Sequence, residues 1–302
     1  MADLVPVKLA EQGMNGWTVM PDLGSPIWYT VITTLVLGVG IGVLAQPQLV
    51  VRFMTAKDNR SLNRAVLVGG PFILMMTGVA FTVGALTNVY FYQTQGKISA
   101  QVATAGNIDT IIPIFINSAM PEWFVVLFMV TLLAAAMSTL SSQFHAMGTA
   151  LICDVWGRGR ECALSLRANQ AGVLVMIILS VIIAFLMPGS IIAIATAMFM
   201  GLCASAFLPI FAVAVYCKRP DPLAAKASLI VGALAWFIWA FFVNTKYAAV
   251  FGLSKALLGT VGILGYPWSA IDPIVIALPL SAITILSLQY MRGGCAAEAQ
   301  TA

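Results

Sequence analysis

The sequence predicts an all-α polytopic membrane protein with about seven transmembrane helices. Of its 302 residues, 61% are apolar and only 9% are charged, whereas a soluble protein of this length needs a far more polar exterior. Apolar runs of about 20 residues recur along the chain, which is the length that a helix needs to cross a bilayer core. The near absence of charge inside these runs favours helices over the alternating strands of a membrane β-barrel.

Each predicted span is an apolar run bounded by polar residues. In chain order the predicted spans are residues 27–50, 66–90, 123–152, 169–187, 190–216, 227–244 and 273–291. Only Pro188-Gly189, which favours a tight turn, separates the fourth span from the fifth. Between the second and third spans, Ile111–Ile116 is too short to cross a bilayer and is expected to form a lid or re-entrant helix.

The distribution of Lys and Arg predicts the orientation in the cell membrane. With the N-terminus outside, the inner connections hold eleven of the 15 Lys and Arg residues and the outer segments hold the other four. Positive residues concentrate on the cytoplasmic side, so the C-terminus is expected in the cytoplasm. The net charge of +4 therefore reflects topology, and it does not point to a nucleic-acid partner.

The first span contains features that break a helix. Gly38, Gly40 and Gly42 alternate along it, and Gln46-Pro47 comes next. Glycine weakens a helix and proline removes a backbone donor, so we predict a break here. Two interpretations remain open. The small residues allow close helix packing, or the span is a discontinuous helix beside a substrate site, as in many secondary transporters.

The third span carries a stripe of polar side chains. Five of them fall within about 40° of the direction of Thr131 on a helix: Thr131, Ser138, Ser142, His145 and Thr149. Thr139 and Ser141 flank that line at about 80° to either side. Such hydroxyls can bond back to their own helix, can join helices, or can bind a small cation together with carbonyls freed from broken helices.

No Asp or Glu lies inside a predicted span. A proton relay of intramembrane carboxylates is therefore not expected, and a bound cation would need neutral oxygens or a carboxylate supplied elsewhere. His145 is a possible proton carrier, although a lone histidine near a helix end more often packs or binds water. No nucleophile–base pair, metal cluster or cofactor motif is present, so neither catalytic residues nor an enzyme activity is predicted.

Two stretches resemble the sodium:solute symporter family. The first is GVLAQPQLVVRFM at residues 42–54, and the second is AAAMSTLSSQ at 134–143 followed by Asp154-Val-Trp156. The resemblance implies a transporter built from two inverted repeats of five helices. Residues 27–216 would be the second repeat and 227–291 two peripheral helices. The first repeat would be absent, so the resemblance implies either an N-terminal half on another chain or a truncated gene product.

The resemblance also implies where sodium binds. The carbonyl of Ala135 and the hydroxyls of Ser138 and Thr139 match the principal sodium site of the family. Ser138, Ser141 and Ser142 match a second sodium site described for some members. In the family, a broken first core helix and an acidic residue of the fifth core helix complete these sites. Both would be half-sites here, with Na⁺ as the coupling ion and with no other metal and no cofactor.

Departures from the family pattern bear on the solute. Proline-type members carry Trp and Tyr where this sequence has Val39 and Val43, which implies a less aromatic pocket. The candidates for lining the solute are Gly40, Gly42, Val43 and Gln46. The expected function is part of a sodium-coupled, alternating-access symporter in the lipid bilayer for a small organic solute of the amino-acid or carboxylate class, not competent alone. The alternatives are a non-transporting membrane subunit and a proton-coupled transporter that uses His145.

Overall fold

The structure, a computed structural model, describes residues 5, 7–17, 19–104, 107–157, 166–187 and 191–292. Within these ranges the chain is helical and forms no strand. The α-helices are α1 (Val7–Ala10), α2 (Pro26–Tyr29), α3 (Pro47–Met54), α4 (Asn59–Gln95), α5 (Ser99–Val102), α6 (Ile111–Ala119), α7 (Glu122–Thr149), α8 (Leu166–Leu186), α9 (Ile192–Tyr216), α10 (Pro222–Phe242), α11 (Thr245–Phe251), α12 (Leu253–Leu258) and α13 (Ile274–Met291). Wider π-helical turns form Thr30–Ile41 and Ala150–Trp156, and tighter 3-10 turns form Val43–Ala45, Ile108–Thr110 and Trp268–Ala270.

Seven helical stretches of the described chain are long and apolar enough to cross a membrane, which confirms the predicted class. They are Pro26–Ala45, Asn59–Gln95, Glu122–Trp156, Leu166–Leu186, Ile192–Tyr216, Pro222–Phe242 and Ile274–Met291. The predicted Pro188-Gly189 turn lies outside the described residues. The assignment of residues 27–216 to a second repeat and of 227–291 to peripheral helices stays a prediction.

The second span differs most from its predicted bounds. Helix α4 runs for 37 residues, roughly 55 Å, whereas the apolar run alone suggested 66–90. It begins early because the Asp58 side chain accepts the Ser61 N–H at 2.8 Å and caps the helix. It ends at Gly96, whose φ of 66° is left-handed and suits a helix stop. Apolarity predicted the membrane-embedded part, and the caps extend the helix beyond it.

The predicted break in the first span is confirmed. Helix α2 widens into π-helical turns at Thr30–Ile41 and then tightens into Val43–Ala45. Gln46 is extended, with φ −69° and ψ 121°, and α3 begins at Pro47. Proline has no N–H to donate, so the first position of a new helix suits it. The first span of the structure is therefore Pro26–Ala45, which ends at this break.

The described residues group into two compact units. Unit 1 comprises Met1–Met54 and Ile192–Ala302, and unit 2 comprises Thr55–Ile191. In unit 1, α9, α10 and α13 pack together, and α9 and α13 also pack against the first span. One apolar cluster centres on Met198, Trp236, Ala240, Tyr247 and Ala277, and another on Val213, Ala224 and Ile285.

In unit 2, α7 packs against α8, and α6 packs against α4. Helices α7 and α8 meet where glycines leave room. A Cβ on Gly148 would lie 2.6 Å from Val173 Cγ2, and one on Gly172 would lie 2.8 Å from the Gly148 oxygen. The predicted short helix is confirmed as α6, which has nine residues. Phe115 of α6 packs edge-on against Tyr90 of α4, with ring centroids 5.2 Å apart.

Candidate cation-binding and substrate-lining sites

The polar stripe lies on a continuous helix, α7, in unit 2. Every residue from Thr131 to Ser141 is exposed, and Ser142 is half-buried. His145 is exposed as well. The stripe joins a second helix at Thr149, where the hydroxyl donates to Asn169 Oδ1 of α8 at 3.2 Å. The helix-joining interpretation is thus confirmed at Thr149, whereas residues 131–141 present their side chains without cover in the described chain.

Several hydroxyls of α7 bond back to their own helix. Thr131 Oγ1 donates to the Leu127 oxygen at 2.8 Å, and Ser142 Oγ donates to the Thr139 oxygen at 2.8 Å. Thr139 Oγ1 donates to the Ala135 oxygen at 3.0 Å. The local interpretation is therefore confirmed at these three positions. A hydroxyl that donates in this way keeps its oxygen lone pairs, so back-bonding leaves each oxygen able to accept a donor or to bind a cation.

The Ala135 carbonyl and the Thr139 hydroxyl, which the resemblance assigns to one sodium site, are hydrogen-bonded neighbours. The α-helical pattern also directs the Thr139 N–H to the Ala135 oxygen. A carbonyl oxygen has two lone pairs, so both are engaged in this structure. Ser138 lies on the adjoining turn and is exposed.

The four solute-lining candidates lie on unit 1 and differ in burial. Gly40 and Val43 are exposed, whereas Gly42 and Gln46 are buried. A Cβ on Gly42 would lie 2.5 Å from the Met200 oxygen of α9, so close packing is confirmed as one role of this glycine. The Gln46 Oε1 accepts from Gln48 Nε2 at 2.9 Å. A lining role for these residues stays a prediction.

Asp272 is a residue that sequence reasoning missed. It lies two residues before α13 and is therefore outside the spans, as the sequence predicted. Its side chain is nevertheless completely buried. Its Oδ2 accepts from the Tyr247 hydroxyl at 2.6 Å, and its Oδ1 accepts from the Ile274 N–H at 3.1 Å. Burial raises the pKa of the Asp272 carboxyl above its usual value, and these hydrogen bonds oppose the shift. An acidic residue directly before an apolar span was the available signal.

Comparisons with known proteins confirm the family resemblance. The model of the sodium:solute symporter family matches residues 19–254. The "High-affinity proline transporter PutP" of Bacillus subtilis (strain 168) is 29% identical over 212 residues, which are 67% of this chain and 42% of that protein. The "Sodium/proline symporter" of Staphylococcus aureus is 25% identical over 285 residues, or 85% of this chain and 52% of that protein. No solved structure gives a significant match.

The chain spans about half the length of the curated relatives that it matches, 42% of one and 52% of another. Both motif stretches, 42–54 and 134–143, fall inside the residues 19–254 that match the family. The matched relatives are named as transporters and not as enzymes, in agreement with the expectation from sequence.

Proposed function

Because this chain belongs to the sodium:solute symporter family, we propose that it forms part of a sodium-coupled symporter for a small organic solute. Two features carry the proposal, and both lie within the matched residues. One is the broken first span, and the other is the hydroxyl stripe on α7. Broken helices and neutral oxygens are the means by which secondary transporters bind ions and solutes near the bilayer midplane. The protein would sit in the cell membrane with its N-terminus outside and its C-terminus in the cytoplasm.

The sodium ligands on this chain would be the Ala135 carbonyl and the hydroxyls of Ser138 and Thr139. Ser141 and Ser142 would contribute to a second site beside Ser138. The Ala135 oxygen already accepts the Thr139 hydroxyl, so sodium would reach it only when that hydroxyl rotates away. The Thr139 oxygen keeps its lone pairs in either rotamer and would remain available as a second ligand. Binding of sodium and the Thr139 rotamer would thus be linked.

The other wall of each sodium site would come from helices outside the given sequence, either in a longer form of the protein or on a partner chain. Two observations support this. Residues 131–141 of α7 are exposed on every face, and the matched region covers only 42% of one relative and 52% of another. An exposed row of hydroxyls in a membrane helix is expected to find protein or ion partners.

The solute would be of the amino-acid or carboxylate class. The relatives are named as proline transporters, which favours an amino acid. Val39 and Val43 imply a less aromatic pocket than proline-type members have. Gly40 and Val43 are exposed on the first span and are therefore the more direct candidates for solute contact, whereas Gly42 and Gln46 would shape the break.

The coupling would follow from alternating access. Sodium would stabilise one conformation more than the other, because only a ligand with different affinities for two states can shift them. Inward movement of each sodium would be driven by its gradient and by the membrane potential, about 2.3 kcal/mol per charge per 100 mV.

Reconstitution tests the proposal. The chain is purified from its native membrane in mild detergent, and uptake of labelled proline, other amino acids and carboxylates is measured in vesicles with imposed sodium or proton gradients. We expect sodium-driven uptake when a second apolar polypeptide co-purifies, and none from the chain alone. Full uptake by the chain alone would overturn the need for a partner. Uptake that follows protons alone would favour the mechanism through His145, and a complex inert toward every solute would favour a non-transporting subunit.

A further inference from the structure

The turn directly before α13 accepts hydrogen bonds from several elements of unit 1. The Ile271 oxygen accepts from Trp239 Nε1 of α10 at 3.2 Å and from Asn244 Nδ2 at 3.0 Å. The next residue, Asp272, accepts from the Tyr247 hydroxyl of α11 and from the Ile274 N–H of α13 through its two carboxylate oxygens. Two consecutive residues thus fix the turn against α10, α11 and α13.

The same turn holds the first span. The Asp272 N–H donates to Thr33 Oγ1 at 3.1 Å, and the Thr33 hydroxyl donates to the Tyr29 oxygen at 2.6 Å. One turn earlier, Lys246 Nζ donates to Thr30 Oγ1 at 2.5 Å. These bonds reach the start of the π-helical segment Thr30–Ile41, which leads into the break at Gln46.

Glycines bring two backbones close to the carboxylate. A Cβ on Gly38 of the first span would lie 3.7 Å from Asp272 Oδ2. A Cβ on Gly201 of α9 would lie 3.5 Å from Asp272 Oδ1 and 3.1 Å from Trp236 Nε1. The indole N–H of Trp236 is buried and has no hydrogen-bond partner among the described residues. The carboxylate and this donor therefore border the same small space.

We propose that Asp272 is a positioning residue that docks the first span onto α10, α11 and α13. A buried carboxylate is unfavourable unless its oxygens are hydrogen-bonded. Here those bonds fix the turn, and the fixed turn directs the Asp272 N–H toward the Thr33 hydroxyl. The docking is a property of unit 1 by itself. Its consequence for transport, that it places Gly40 and Val43 for the solute, rests on the proposed function.

Hydrogen–deuterium exchange of the purified chain tests the docking without any transport assay. The variants are Asp272→Ala, Asp272→Asn and Thr33→Val, and Asp22→Asn serves as the matched control, because Asp22 is an acid of the same unit that lies outside the buried turn. Loss of a buried hydrogen-bond partner should accelerate exchange in peptides from residues 30–41 about tenfold. Peptides from α10 should keep their wild-type rates, and Asp272→Asn, which retains an acceptor, should recover most of the protection.

The outcomes separate docking from general stability. Faster exchange confined to the first span in both Asp272→Ala and Thr33→Val supports the proposal. Unchanged exchange at 30–41 in both variants, or equal acceleration throughout unit 1, overturns it. If Asp272→Ala does not fold, Thr33→Val decides, because it removes only the hydroxyl that receives the Asp272 N–H.

The effect on transport is measured with the co-purified complex. Thr33→Val is expected to raise the solute KM and to leave the maximal rate near that of Asp22→Asn, because the docking acts on the span that carries the solute candidates. A fall in maximal rate with no change in KM overturns the link to the solute. A wild-type complex without uptake would count against the proposed function and would leave the exchange result standing.

Discussion

The Thr139 hydroxyl donates to the Ala135 carbonyl oxygen at 3.0 Å on the exposed part of α7. These are two of the three groups through which this chain is proposed to bind sodium. In the observed rotamer the hydroxyl occupies the carbonyl lone pair that the ion would need. Under the proposal, one rotation of the Thr139 hydroxyl would free the Ala135 carbonyl oxygen for the ion, and the Thr139 oxygen could bind the ion in either rotamer.

The first prediction concerns this pair. Thr139→Val keeps the branched shape and removes the hydroxyl, so the sodium concentration for half-maximal uptake by the complex should rise about tenfold, the effect of losing about 1.4 kcal/mol of ligand interaction. Thr131→Val is the matched control, because Thr131 makes the same back-bond on the same helix outside the proposed ligand set. Equal shifts in the two variants would assign the effect to the helix and not to sodium ligation.

A second prediction concerns the contact between α7 and α8. Gly148→Ala places a methyl group 2.6 Å from Val173 Cγ2 and 2.7 Å from the Val173 nitrogen, and overpacking of this kind costs about 1–3 kcal/mol. The midpoint of thermal unfolding in detergent should fall. In the control, Gly78→Ala, the new methyl group meets no atom within 4 Å, so the midpoint should stay level or rise. A Gly148→Ala protein as stable as the control would contradict the close approach of the two helices.

The first span and α9 give a third prediction. Gly42→Ala would bring a methyl group 2.5 Å from the Met200 oxygen, and a backbone atom cannot rotate away. Thermal stability should fall and the sodium-driven uptake of the complex should drop with it. Gly40→Ala is a stability control from the same span, since its methyl group would have its nearest neighbour at 3.9 Å. If both substitutions lower the unfolding midpoint equally, the loss comes from the π-helical backbone and not from the contact with α9.

The fourth prediction follows from the raised pKa of the Asp272 carboxyl. A carboxyl whose folded pKa is raised lowers stability as pH rises from its unfolded value, about 3.9, through the folded pKa. Above that range the full cost of burying the charge is present. The stability of Asp272→Asn relative to wild type should therefore improve as pH rises from about 4 toward 7, on top of a pH-independent cost for the carboxylate oxygen that the amide nitrogen replaces. Unfolding midpoints across this pH range are the measurement, and a difference that does not vary with pH would contradict the raised pKa.

Particular residues show which structural features could be predicted from the sequence and which could not. Apolar length predicted the number and order of the spans, and the Gln46-Pro47 pair predicted the break, because both depend on local chemistry. The Asp58 cap that lengthens α4 is also local, but it acts outside the apolar run. Gly148 and Gly172 carry no signal of which helix each will meet, since that depends on tertiary packing. The burial of Asp272 could not be predicted for the same reason: it arises from contacts with Tyr247, Thr33 and Gly201, which are distant in sequence.

Equilibrium binding of radioactive sodium to the purified complex tests the central claim most directly. The comparison is between wild type, the double variant Ser138→Ala with Thr139→Ala, and Thr131→Val. We predict saturable sodium binding in wild type and in Thr131→Val, and its loss in the double variant, because the double variant removes both hydroxyl ligands from one wall of the site. Undiminished sodium binding by the double variant would contradict the claim that α7 supplies that wall.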